Sequence, residues 1–86
     1  MGISTSLDLD KQLIGKVIRR LRKERGLSQE VLSGFAGLAR SHLSMIEAGS
    51  KNPNFDTIWR ISVALDILPS EFVRILEDES IKTQEN

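Results

Sequence analysis

The chain has 86 residues, which leaves room for one small domain and not for an elaborate buried active site. It has no cysteine and a single histidine, excluding disulfides, thiolate or iron–sulfur centres, cysteine nucleophiles and any histidine-rich metal site. No apolar run approaches the roughly 20 residues that span a bilayer, and the N-terminus lacks the basic-then-apolar layout of a signal peptide. Formal net charge is zero, but it is segregated along the chain. Residues 1–10 carry −2, residues 11–60 hold ten of the twelve basic residues against four acidic ones for +6, and residues 61–86 carry −4. A binding face needs only local positive charge, so the cationic middle keeps nucleic acid open as a partner; a solvated face is the plain alternative.

Strand-like alternation is absent, and helical spacing recurs from end to end. Leu13, Ile14, Val17, Ile18 and Leu21 form one face of a helix predicted over about Asp10 to Arg25, with Lys16, Arg19, Arg20 and Lys23 largely opposite. Gly26 is placed to end it. Ser28 is a good N-cap with Glu30 in the first turn, and Val31, Leu32 and Phe35 make a short second helix ending before Gly37. A third runs from about Arg40 to Ala48 on Leu43 and Ile46, and Gly49 stops it. After a turn at Ser50–Pro53, Asn54 caps a fourth helix carrying Ile58, Ile61, Ala64 and Leu65. Pro69 suits the first position of a fifth, expected to reach about Glu77. Residues 10–77 thus form the domain, between a flexible N-terminal segment 1–9 and a flexible acidic tail 78–86. The opening Met1–Ser6 matches a myristoylation pattern, which is read as chance.

Two short helices joined by a glycine-containing turn are the helix-turn-helix signature. In Ser28–Gly49, small Ser33 and Ala36 let the helices approach, Gly37 turns the chain, and Leu38, Leu43 and Ile46 anchor the second helix. Its outer face of Arg40, Ser41, Ser44 and Met45 is left free, as a helix entering a major groove requires.

Over about residues 14–76 the chain resembles the phage-repressor and Cro-like (Xre-type) helix-turn-helix family. The matching pieces are Ile14-Gly15, Ile18-Arg19, Leu21-Arg22, Gly26-Leu27-Ser28-Gln29-Glu30, Leu32, Gly37-Leu38, Leu43-Ser44-Met45-Ile46-Glu47, Gly49, Asn52-Pro53 and Thr57-Ile58…Ile61…Ala64-Leu65. The resemblance implies an all-α, compact five-helix lambda-repressor-like DNA-binding domain with the helix-turn-helix at helices two and three. It implies that Gln29 meets a DNA phosphate, that Arg40, Ser41, Ser44 and Met45 face the groove, and that Lys51, Asn52 and Asn54 contact the backbone. Arg22 and Glu47 match a buried ion pair of the family. Dimerisation through the C-terminal helices is implied as well, which directs attention to Trp59, Val63, Ile67, Phe72, Ile75 and Leu76. The chain departs from the pattern at Ala39, where the recognition helix usually has a Ser or Thr cap, and at Ala48, which replaces a common Arg. Phe35, Trp59 and Val63 stand where polar residues are usual.

For each residue a plainer role stands beside the functional one. Arg40 reads a guanine edge through its fork, or clamps a phosphate, or is solvated. Ser41 and Ser44 read bases, bond phosphate, or are merely small; His42 is a phosphate neighbour or solvated. Met45 meets a thymine methyl or is partly buried against the turn. The basic face of helix one is chiefly a solvated face. Enzymatic readings have little to stand on: Gly34 and Gly37 do not follow a strand, Ser41 and His42 diverge on a helix, and Glu77, Asp78 and Glu79 lack a pocket.

The expectation is therefore a small homodimeric transcription regulator, most simply a repressor, on an inverted repeat of double-stranded DNA with half-sites roughly 34–36 Å apart. Restriction–modification controllers and antitoxin-type autoregulators are variants of the same class. RNA polymerase or another regulatory protein is a further partner to consider. The rival of another class is a protein-interaction module using Phe35, Trp59 and Val63 without specific DNA binding. No cofactor, metal, catalytic residue or membrane association is expected. The expected location is cytoplasmic and nucleoid-associated.

Overall fold

A computed structural model describes residues 9–85. It contains five helices: α1 Lys11–Glu24, α2 Gln29–Ala36, α3 Arg40–Glu47, α4 Phe55–Ala64 and α5 Pro69–Glu85. Three of them start on a side-chain cap. Asp10 accepts from the Gln12 amide at 2.9 Å, Ser28 from Val31 at 3.0 Å and Asn54 from Thr57 at 2.8 Å. The fourth case is the exception the sequence announces: Ala39 has extended backbone and no side-chain bond to α3.

Helix α1 packs on α3 and α5, α2 on α3 and α4, and α4 on α5. Ile18, Leu32, Leu43, Ile46, Ile61, Leu65 and Phe72 are completely buried at their meeting point. The α1–α3 crossing is close because of Gly15. A Cβ there would stand 2.7 Å from the Glu47 carbonyl oxygen and closer still to that of Ile46. Gly37, left-handed at φ 69°, ends α2, and the Leu38 amide donates to the Ser33 carbonyl at 2.9 Å. That turn aims α3 across α2.

The fifth helix differs from expectation: it runs on through residues 78–85, where a flexible acidic tail was expected. One contact distant in sequence and others within the helix hold it. Arg20 on α1 donates to Glu79 at 3.0 Å, Ser80 is buried, and the Thr83 hydroxyl donates to the Glu79 carbonyl at 2.9 Å. The N-terminal segment expected to be flexible, and the pattern at Met1–Ser6, lie outside the described residues except for Leu9. No described helix is long and apolar enough to cross a membrane.

Candidate nucleic-acid interface

The recognition helix is built by contrast between its two faces. Leu43 and Ile46 are fully buried, while Arg40, Ser41, Ser44 and Met45 are exposed and His42 is half-buried. With period 3.6, burying positions 43, 46 and 47 leaves 40, 41, 44 and 45 on the outer side. All four residues expected to face the groove therefore share one surface.

Behind that surface lies a buried polar network. Arg22 of α1 donates through Nε and a terminal nitrogen to the two Glu47 oxygens at 2.7 and 2.9 Å, a bidentate pair, and its other terminal nitrogen reaches the Leu27 carbonyl at 2.8 Å. The hydrogen bond with Glu47 raises the Arg22 pKa above the ordinary guanidinium value, with burial opposing it. Gln29 is drawn into this network, since its Nε2 donates to Glu47 Oε1 at 3.0 Å. This refines its expected role. One amide hydrogen is committed inward, leaving the rest of the carboxamide and the backbone N–H to face outward. The first amides of α2, at Gln29 and Glu30, have no intrahelical acceptor and stand at the positive end of the helix dipole. A shallow cleft joins them to the start of α3, lined by Arg22, Ser28, Gln29, Glu30 and Arg40.

Beyond α3, Gly49 at φ 79° turns the chain, and the amide and hydroxyl of Ser50 both donate to the Met45 carbonyl, at 3.0 and 3.1 Å. The loop so held presents Lys51, Asn52 and Asn54 on the surface. Asn54 spends its carbonyl oxygen as the α4 cap, so only its NH2 group is available to an anion. The basic residues Lys16, Arg19, Arg20 and Lys23 are exposed on α1, where Arg20 is taken by Glu79 and Glu24.

The residues expected at a dimer seam divide into two groups. Trp59 and Val63 are exposed, and Ile67 and Ile75 are half-buried against the core. Phe72 and Leu76 belong to the core itself: Phe72 is wholly buried and Leu76 nearly so, because the inner face of α5 turns them onto α1 and α4. Their burial leaves no side-chain surface for a partner subunit, which corrects their expected place at a seam. Phe55 and Leu68, 68% and 69% exposed, and Val73 are exposed apolar residues that the sequence reading did not single out. Phe55 meets Trp59 edge-to-face with centroids 6.1 Å apart, and with Val63 they form an i, i+4, i+8 stripe along α4. Phe55 and Val73 also border an apolar groove of about 440 Å³ between α4 and α5. The signal for Phe55 was present in its spacing to Trp59.

A tight helix-turn-helix whose second helix is buried on one face and polar on the other defines a DNA-binding domain rather than a pocket-based catalyst. The comparisons agree. The family model described as helix-turn-helix matches residues 18–72, and the chain belongs to this Xre/Cro-like family of DNA-binding transcription regulators, which is not an enzyme family. The HTH-type transcriptional regulator y4dJ of Sinorhizobium fredii is 31% identical over 74 residues, covering 86% of this chain and 96% of that one. The restriction–modification controller protein C.AhdI from Aeromonas hydrophila is 40% identical with a TM-score of 0.70, over 73% of this chain and 96% of the controller. C.Esp1396I, solved as a tetramer with its natural 35 base-pair operator, is 28% identical with a TM-score of 0.76, over 92% and 99%.

Proposed function

We propose that the protein is a transcription repressor that binds an inverted-repeat operator as a homodimer, inserting α3 of each copy into the major groove. The observation that carries this reading is the shared outer surface of Arg40, Ser41, Ser44 and Met45 on a helix fixed from behind by Leu43, Ile46 and the Arg22–Glu47 pair. Arg40 reads a base edge; Ser41, Ser44 and Met45 follow it along the groove. Gln29, His42, Lys51, Asn52 and Asn54 take the phosphates that flank it, which fixes register without reading sequence. The α4 stripe of Phe55, Trp59 and Val63, with Ile67, Leu68 and Ile75 beside it, joins the two copies. The place of action is the cytoplasm, on the nucleoid, with RNA polymerase excluded from the covered promoter.

A second reading within the same class is an autoregulating controller of a restriction–modification operon. It is favoured by the match to C.AhdI and C.Esp1396I over nearly the whole length of each.

Competition binding on a cognate duplex separates the assigned roles. Arg40→Ala is expected to relax sequence preference at one base pair by roughly 1–3 kcal/mol. Lys51→Ala should instead weaken all sequences about equally and lower the salt slope by about one. Equal and sequence-blind losses from both substitutions would contradict the proposal.

A further inference from the structure

Three of the four residues on the outer surface of α3 are polar, and the fourth, Met45, carries sulfur. Its side chain is 43% exposed. It is the only sulfur-bearing residue among those described, and the chain has no cysteine to meet an oxidant in its stead. Its neighbours one turn away, Ser41, Ala48 and Gly49, are too small to shield a thioether. The helix beneath is fixed. The Met45 carbonyl accepts from the amide and the hydroxyl of Ser50, at 3.0 and 3.1 Å, and Leu43 and Ile46 are fully buried on the opposite face. Helix α3 therefore cannot turn to bury the sulfur.

Oxidation of a thioether changes the chemistry of this surface more than its shape. A peroxide transfers one oxygen atom to sulfur: its O–O bond breaks, the S–O bond forms, sulfur gives up two electrons, and water leaves. The product is a sulfoxide, a polar and chiral group where a flexible apolar chain stood. A thymine methyl offers the new oxygen no hydrogen bond, so it would be desolvated in the groove without a partner. The phosphate contacts assigned to Gln29, Lys51 and Asn52 involve no sulfur.

We propose that Met45 is an oxidation site for peroxides, through which the protein loses its preference for its operator. The loss rests on the placing of α3 in the major groove given above; the accessibility of the sulfur does not. Because the same surface meets DNA, bound operator shields the sulfur, and the free protein is the form that oxidises. A thiol-dependent sulfoxide reductase returns the thioether, two thiols becoming a disulfide as the oxygen leaves as water.

Peptide mass spectrometry of the full chain during hydrogen peroxide treatment tests the site, with free methionine in the same tube as reference. Met45 is expected to oxidise within about threefold of the free amino acid's rate, and at least about fivefold more slowly on a duplex enriched by selection. Competition binding then compares reduced and oxidised protein on that duplex and on an unrelated one. A loss of about tenfold or more is expected on the enriched duplex alone, with matching circular dichroism, and reductase treatment should reverse it. Met45→Gln, a polar stand-in that needs no oxidant, should show the same selective loss. Met45→Leu, at whatever affinity it starts, should be insensitive to peroxide. Fully oxidised Met45 with undiminished affinity for the enriched duplex overturns the proposal and leaves the reading of DNA by α3 intact. If selection yields no preferred duplex, that reading fails and this proposal falls with it.

Discussion

Glu47 is the residue on which the reading surface depends most, because it holds α1, α2 and α3 together through Arg22 and Gln29. Glu47→Ala leaves the buried Arg22 guanidinium uncompensated and is expected to cost about 3–5 kcal/mol in urea unfolding. Replacing both partners by apolar residues, Arg22→Met with Glu47→Leu, is expected to be near neutral or stabilising, since two desolvated charges leave together. Gln29 would then lose its inner acceptor, so DNA affinity should fall although stability does not. The pH dependence has a definite sign. The folded-state pKa of Arg22 is raised, so its contribution is fully present at neutral pH and is lost only as pH climbs through that raised, strongly alkaline value. Ala39 supplies the opposite kind of test. Its backbone already has the extended cap conformation, so Ala39→Ser should stabilise the fold by about 0.5–2 kcal/mol in the same assay. No gain would mean that α3 is not limited by its uncapped end.

At the scale of elements, the helix starts and stops were legible because each has a local chemical cause. Ser28 and Asn54 are caps, Gly26, Gly37 and Gly49 take left-handed backbone, and Pro69 opens α5. The far half of α5 was not legible. Residues 78–85 are mostly polar, and what holds them, Arg20 against Glu79, joins positions 59 apart in the chain. Which apolar residues of α5 turn inward was also hidden. Phe72, Ile75 and Leu76 are all at helical spacing, and only the placement of α1 and α4 sends Phe72 and Leu76 into the core. Ending the chain after Glu77 should cost about 1–2 kcal/mol, the exposed Arg20 pair contributing at most about 1 and the buried turn at Ser80 the rest. Thermal unfolding measures it, and an unchanged midpoint would show that the extension is held without contributing stability.

For the whole molecule, net charge was the least informative number and its distribution the most. The basic middle segment contains α3 and the loop after it, while the acidic end runs from the last turn of α4 through α5. The outer surface of α3 was legible residue by residue, because burying Leu43 and Ile46 leaves only one face for Arg40, Ser41, Ser44 and Met45. The commitments of Gln29 and Asn54 were not, since they depend on Glu47 and Thr57 as neighbours in space. The proposed dimer belongs to this scale too. Trp59→Ser with Val63→Ser removes exposed apolar surface without touching the core, so the fold should persist while the subunits separate. Affinity for a two-half-site duplex should drop by at least about tenfold, because the two helices no longer bind as one unit. Light scattering and duplex titration follow the two effects; a dimer that survives would place the seam elsewhere.

Selection from a random duplex pool at near-physiological salt, with Arg40→Ala alongside, tests sequence-specific recognition by α3 most directly. Enrichment of an inverted repeat with half-sites roughly 34–36 Å apart is expected, lost or relaxed at one position per half-site in the variant. Enrichment of no sequence, with binding that fades steeply as salt rises, would leave only the counterion-release contribution and would contradict it.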